Sequence, residues 1–381
     1  MNTIKATYQR LFFHPQIDIA KRALTVLVLL YLFLVGVNCL SSGLKLMGGG
    51  FAETLFNLTA NPFSSLMAGM LATVLFQSSS VTTAIIVGLV SAGTLPVSGA
   101  VPMIMGANLG TSVTNTLVSM GYIKNTNNFK KAFAAATVHD FFNILSVAVL
   151  LPLELMTGFI EKIAVATSSM LYGSMSGLTY KSPIKAAIKP PVNTIKGFAV
   201  DTFGSEIAGI VLMILAGFII ISALGMIVRT MKVLVESNKG ELINKALSKN
   251  AYAAIIFGIV MTISVQSSSI TTSLLIPMAG SGLLSLQAIY PITIGANIGT
   301  TATALLAALT GNVAGLSIAL VHLFFNLMGF MLFFPVKSLR ALPIKCSEKL
   351  ASLIDSNRYV GLGYIAVVFF GLPLIFVFLL G

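Results

Sequence analysis

Two short blocks carry the side chains capable of chemistry in an otherwise apolar chain. One is Gln77-Ser78-Ser79-Ser80, with Thr82 and Thr83 behind it; the other is Gln266-Ser267-Ser268-Ser269, with Thr271 and Thr272. At the same distance each is followed by a second polar segment, GANLGTSVT (Gly106–Thr114) and GANIGTTAT (Gly295–Thr303). Hydroxyl and amide oxygens suit a hard cation such as sodium, and helix-start N–H groups receive anions. No Asp, Glu, Lys or Arg occurs from Thr54 to Ile123 or from Asn250 to Val336, so any site here is built from neutral groups. A multiply charged anion in low dielectric then needs its countercharge to arrive with it. That points to cation-coupled anion transport rather than an arginine-lined pore. A lone Ser in a membrane helix usually packs or bonds back to its own turn. Two matched blocks with matched spacing argue for a site instead.

Asp140 is the one acid well inside a predicted span, and intramembrane acids are costly and usually functional, so it is read as a cation ligand. Its counterpart in the second half is Leu323. His139 and His322 each precede an Asn by four residues on one helix face, which fits packing as well as proton chemistry. Glycines in GANxGT permit an unwound backbone, and Asn108 and Asn297 tolerate left-handed geometry there. No HExxH, P-loop, GxSxG or CxxC motif occurs, so an enzyme is not expected. Cys39 and Cys346 fit no metal-ligand spacing and are not expected to pair.

The elements that must position these groups follow from composition. Of 381 residues 56% are hydrophobic and 9% charged, with a mean hydropathy of +0.95. The long apolar runs read as membrane helices rather than barrel strands. A shift of 189 residues superposes both polar segments, and VHDFFN (Val138–Asn143) matches VHLFFN (Val321–Asn326) after a six-residue deletion. The chain therefore reads as a first repeat (19–160), an external linker (161–205), a second repeat (206–337), a basic amphipathic segment (338–358) and an extra C-terminal helix (359–381). The first helix, Ala23–Leu40, is too long for a signal peptide. Phe63–Phe76 gives about 21 Å of helix against a hydrocarbon core of about 30 Å, so the pair flanking each Q-S-S-S block dips in and returns.

Three crossings per half make the second half inverted. The expected fold is an all-α polytopic membrane protein of two inverted-topology repeats, each with a re-entrant hairpin carrying QSSS at its tip and a broken helix. The net charge of +12 reads as positive-inside topology rather than nucleic-acid binding. Clusters at Lys21 and Arg22, Lys124 to Lys131, Arg229 to Lys249 and Lys337 to Lys349 place the N-terminus in the cytoplasm; the lysines of the linker disagree.

QSSSVTT, GANLGTSVTNT and KKAFAAATVHDFFNILSVAVLLPLE, with the second QSSS and GANIGTT, closely resemble the type II sodium-coupled phosphate cotransporters. The resemblance implies a bacterial inner-membrane symporter importing inorganic phosphate with sodium, and no cofactor beyond those ions. It puts sodium on Gln266, Ser267, Thr300 and Thr303, and by repeat symmetry on Gln77, Ser78, Thr111 and Thr114. Phosphate would lie between the two tips, at Ser78, Ser79, Ser80, Ser267, Ser268, Ser269, Asn108 and Asn297. Asp140 matches the electrogenic members. The short linker without cysteines and the short tails imply no linker disulfide and no C-terminal partner motif. A dicarboxylate symporter, an ion channel and a non-transporting membrane protein are the other readings.

Overall fold

The computed structural model describes residues 15–47, 59–173, 183–236, 250–355 and 357–380, and all regular structure among them is helical. Of the basic residues that bear on topology, Lys5 and Arg10, which join Lys21 and Arg22 in the N-terminal cluster, and Lys181, Lys239, Lys245 and Lys249 lie outside the described residues. Among the described residues, five helical spans are long and apolar enough to cross a membrane: Leu24–Leu46, Thr126–Thr157, Ile207–Ile227, Val313–Phe333 and Val360–Leu379.

In the first half, α1 (Pro15–Leu46) is followed by α2 (Pro62–Phe76) and α3 (Ser79–Ala92). Asn61 caps α2, its side chain accepting from Phe63 and Ser64 N–H, and Pro62 supplies a preset first turn. The hydroxyls of Thr73 and Thr82, on either side of Gln77-Ser78, meet at 3.0 Å, so the chain doubles back there. Next come α4 (Val97–Gly110), α5 (Val113–Ser119) and α6 (Thr126–Thr157). The second half runs α9 (Ser205–Glu236), α10 (Ala251–Val265), the short α11 (Ser268–Ser273) and α12 (Leu275–Gly280), then α13 (Leu286–Ala308) and α14 (Val313–Phe333). Asn250 caps α10 as Asn61 caps α2, and Thr262 and Thr271 meet at 3.0 Å.

Close helix contact is set by glycines in both halves. A Cβ on Gly69, Gly106 or Gly110 would overlap the backbone of Met103, Leu66 or Met70, which locks α2 onto α4. Gly258, Gly295 and Gly299 stand the same way against Ile292, Ile255 and Ile259 between α10 and α13. Small residues at such seams let backbones approach, which drives helix association in lipid. The helices α1 and α9 pack on each other with Gly36 against Ile219 and Ile220 and Gly43 against Gly209, so they run antiparallel.

Two expectations are corrected. The glycines of GANxGT are helical close-packing residues, not points of unwinding, and Asn108 and Asn297 are helical too. A break in the GANxGT helix occurs in the first half alone: α4 ends at Gly110 and α5 restarts at Val113, whereas α13 runs unbroken through Gly295–Thr303. The reason is a side chain inserted into the ladder, since Asn143 Nδ2 donates to the Asn108 carbonyl at 2.9 Å and Thr111 N–H takes the same oxygen in a tighter turn. Between the halves, the described residues of the linker segment form α7 (Phe159–Gly173) and α8 (Pro183–Phe203). Ser168 of α7 bonds Ser317 of α14 at 2.7 Å, and Tyr31 of α1 donates to the Ala187 carbonyl of α8.

The basic segment forms α15 (Lys337–Ser352), with Pro343, Ile344, Ser347 and Ala351 buried. A final helix begins as α16 (Val360–Tyr364), passes through a π-helical stretch, Ile365–Gly371, and ends as α17 (Leu372–Leu380), near α2.

Candidate functional site

Among the described residues, only Gln77 (φ 52, ψ 27) and Gln266 (φ 55, ψ 28) adopt positive φ without being glycine. That conformation costs a side-chain-bearing residue about 1–2 kcal/mol. The amide offsets it, because Nε2 donates at 2.7 Å to Val74 O in one turn and to Ile263 O in the other, closing the preceding helix. This leaves Oε1 facing the GANxGT helix, where it accepts from Thr114 Oγ1 at 3.1 Å or from Thr303 Oγ1 at 2.9 Å.

Ser78 and Ser267 follow in extended conformation as N-caps, their Oγ atoms accepting from Val81 and Ile270 N–H. Ser79, Ser80 and Ser268 are buried at the first turn of their helices, while Ser269 is half-buried. The two turns touch, with Ser80 Oγ donating to the Gln266 carbonyl at 3.4 Å. Asn115 of α5 strengthens this contact through Thr272 (2.8 Å) and Ser273 (2.9 Å) of the second block. The structure thus brings together Gln77 with Thr114, Gln266 with Thr303, and one serine block with the other. Thr111 and Thr300 instead donate to Ala107 O and Ala296 O of their own helices, each at 3.0 Å.

Asn108 and Asn297 sit in a buried crossing of the two halves rather than among the serine hydroxyls. The pair His139 Nε2 and Asn297 Oδ1 lies at 2.6 Å, and Asn297 Nδ2 donates to Asn143 Oδ1 at 2.6 Å. In the mirror crossing His322 Nε2 stands 3.4 Å from Asn108 Oδ1, and Asn108 Nδ2 turns back to Ile104 O. Both histidines therefore tie one half to the other, which their lone positions in sequence did not reveal.

Asp140 is buried, with Oδ2 accepting from the Tyr364 hydroxyl at 2.9 Å and the side chains of Ser112 and Thr116 beside it. Its Oδ1 has no hydrogen-bond partner. Tyr364 stands edge-on to Phe133 and Phe369, and a Cβ on Gly361 would overlap Met120 and crowd Phe129. Nothing in the sequence singled Tyr364 out, since it belongs to a helix that lies outside both repeats.

Neutral oxygens gather at two helix starts, one buried carboxylate keeps an oxygen without a hydrogen-bond partner, and no cluster of His, Cys, Asp or Glu able to hold a metal ion occurs among the described residues. Rat sodium-dependent phosphate transport protein 2A is 36% identical over 90% of this chain and 65% of its own length. The human 2B protein is 32% identical over 93% of this chain and 64% of its own length. The chain thus spans a little under two thirds of those relatives. No solved structure matches it. The protein is a multi-pass membrane protein, on its five apolar helices and its likeness to membrane transporters. The family described as Na+/Pi-cotransporter matches twice, over residues 32–177 and again over residues 209–353, one match for each Gln-centred turn with its glycine-seamed helix pair, and the chain belongs to that family.

Proposed function

We propose that this protein is a sodium-coupled symporter that imports inorganic phosphate across a bacterial inner membrane, electrogenically and with its N-terminus in the cytoplasm. The observation that carries the reading is the contact between two turns of equal geometry, each presenting a serine-lined helix start and a Gln–Thr pair. Phosphate lies between the turns, held by N–H and hydroxyl donors of Ser78, Ser79, Ser80 and Ser267, Ser268, Ser269. Sodium is held by oxygens of Gln266, Ser267, Thr300 and Thr303, and by Gln77, Ser78, Thr111 and Thr114 in the other half. Asp140 offers a further cation position that exists once. The antiparallel packing of α1 on α9 supports inversion of the repeats, with the turns as re-entrant tips.

Radiolabelled phosphate uptake into proteoliposomes, with an inward sodium gradient against equal potassium, tests the reading. Sodium-dependent accumulation above equilibrium is expected; uptake indifferent to sodium would remove the coupling. Succinate that competes for uptake would shift the substrate to dicarboxylates.

A further inference from the structure

A cavity of about 230 Å³ lies at the end of α1 and away from the Gln-centred turns, lined by polar residues from both halves. The last turns of α1 contribute Asn38, Ser42 and Lys45; the end of α3 contributes Ser91; the α13–α14 connection contributes Thr310 and Asn312. Its frame is built by hydrogen bonds between halves: Asn38 Nδ2 donates to Thr310 O at 3.4 Å and Asn312 Nδ2 to Ser91 O at 3.1 Å. Glycine at 311 and 315 lets the connection press onto Ser91, whose Oγ would overlap a Cβ at either position. That hydroxyl is buried and has no hydrogen-bond partner.

Lys45 is the only charged side chain among the described residues between Arg22 and Lys124, and it makes no ion pair with any of them. It stands at the end of the Leu24–Leu46 span, in the last turn of its helix. A cation at a helix end favours the dipole and needs no cavity for that. Here the ammonium, a donor with no acceptor capacity, borders a pocket of hydroxyls and amides, and its fixed charge favours an anion over a cation there. In a chain whose central site is neutral, one fixed positive charge at the mouth raises the local concentration of an anionic solute.

We propose that this cavity is a peripheral oxyanion site on the face opposite the N-terminus, in which the Lys45 ammonium and the Ser42 hydroxyl hold a phosphate group before it reaches the turns. The assignment rests on the symporter reading for its role, while the occupant is a phosphate group from free solution or from a lipid head.

The test does not require transport. Ser42→Cys is placed on a Cys346→Ser background, and its reaction is followed with a sulfonate-bearing and a trimethylammonium-bearing thiol reagent. With Lys45 present the anionic reagent is favoured, and K45Q lowers the anionic-to-cationic rate ratio about three- to tenfold, an effect that vanishes in high salt. Millimolar inorganic phosphate slows labelling in detergent if the occupant is the free anion; slowing only in vesicles of phosphatidylglycerol, not of phosphatidylcholine, assigns a lipid head instead. Labelling indifferent to Lys45, to phosphate and to phosphatidylglycerol overturns the site. In uptake, K45Q raises the phosphate concentration for half-maximal rate and leaves the maximal rate and thermal melting unchanged. A fall in melting temperature with the half-maximal concentration unchanged would make Lys45 a helix-end residue only. Absence of uptake by the unaltered protein would count against the symporter and leave the labelling result standing.

Discussion

The two Gln-centred turns and the two Asn–His crossings were duplicated together, yet the turns have stayed alike and the crossings have not. Gln77 and Gln266 share their left-handed backbone, their helix-closing bond of 2.7 Å and their threonine partner. In the crossings, Asn143 serves both halves at once, donating to Asn108 O and accepting from Asn297 Nδ2, beside the tight His139–Asn297 pair. Its counterpart Asn326 donates to His322 O within its own helix, and its Oδ1 is buried without a partner. The same divergence breaks the α4–α5 helix and leaves α13 whole. A geometry kept in both copies points to a shared ligand task; a geometry kept in one copy points to a task done once, such as fixing one half against the other.

The sharpest way to break that comparison is Asn143→Ala. It strips the Asn297 amide of its acceptor and frees the Asn108 carbonyl from its side-chain donor, and a stranded buried polar group costs about 1–3 kcal/mol. We expect phosphate uptake near background and a lower melting temperature in detergent. Should melting and uptake equal those of the unaltered protein, the closed crossing does no holding and the asymmetry is incidental. Asp140→Gly comes next, because the second half does without a carboxylate at Leu323. Uptake persists at reduced rate, while net charge carried per phosphate, read in voltage-clamped proteoliposomes, falls. Unchanged charge would take Asp140 out of the cation path and leave Tyr364 as its reason for burial.

The repeat, the polar blocks and the shortness of their flanking helices were all legible because they are local: identity of Gln, Ser, Thr and Gly in register, and helix length. What pairs with what was less legible. The conformational burden at each turn falls on Gln rather than on Gly or Asn, since the amide can close the helix it ends, a compensation that residue-type preference does not anticipate. The GANxGT glycines carry no signal to separate unwinding from close packing, as both need the missing Cβ. Asn143 and Asn326 are the same residue in the same motif, and only their rotamers and neighbours make one a bridge. Tyr364 reaches Asp140 across 224 positions of sequence, from a helix outside the repeat.

The likeness of the turns can itself be sharpened. Gln77→Gly and Gln266→Gly relieve the left-handed strain, about 1 kcal/mol, while removing the threonine's acceptor. Melting should hold or rise slightly in both, and the sodium concentration for half-maximal uptake should rise about tenfold, the weight of one lost charge-assisted contact. Two variants with matching sodium curves would support equal duty for the two turns. If one alone shifts, the shared geometry outlived a shared task, and that turn is the one that holds sodium.

The smallest effect is expected at Asn326. Replacing it by Ala deletes an acceptor that is buried unsatisfied and a donor that bonds only to its own helix carbonyl. Losing a group that already lacks its partner removes a desolvation cost, so the change should be within about 0.5 kcal/mol or slightly stabilising. Melting temperature and uptake close to those of the unaltered protein would keep the contrast with Asn143 intact. Unchanged melting with uptake abolished would mean more: Asn326 then takes up the bridging role when the opposite face opens, Asn143 releases it, and the difference between the crossings belongs to one stage of the cycle rather than to the two halves.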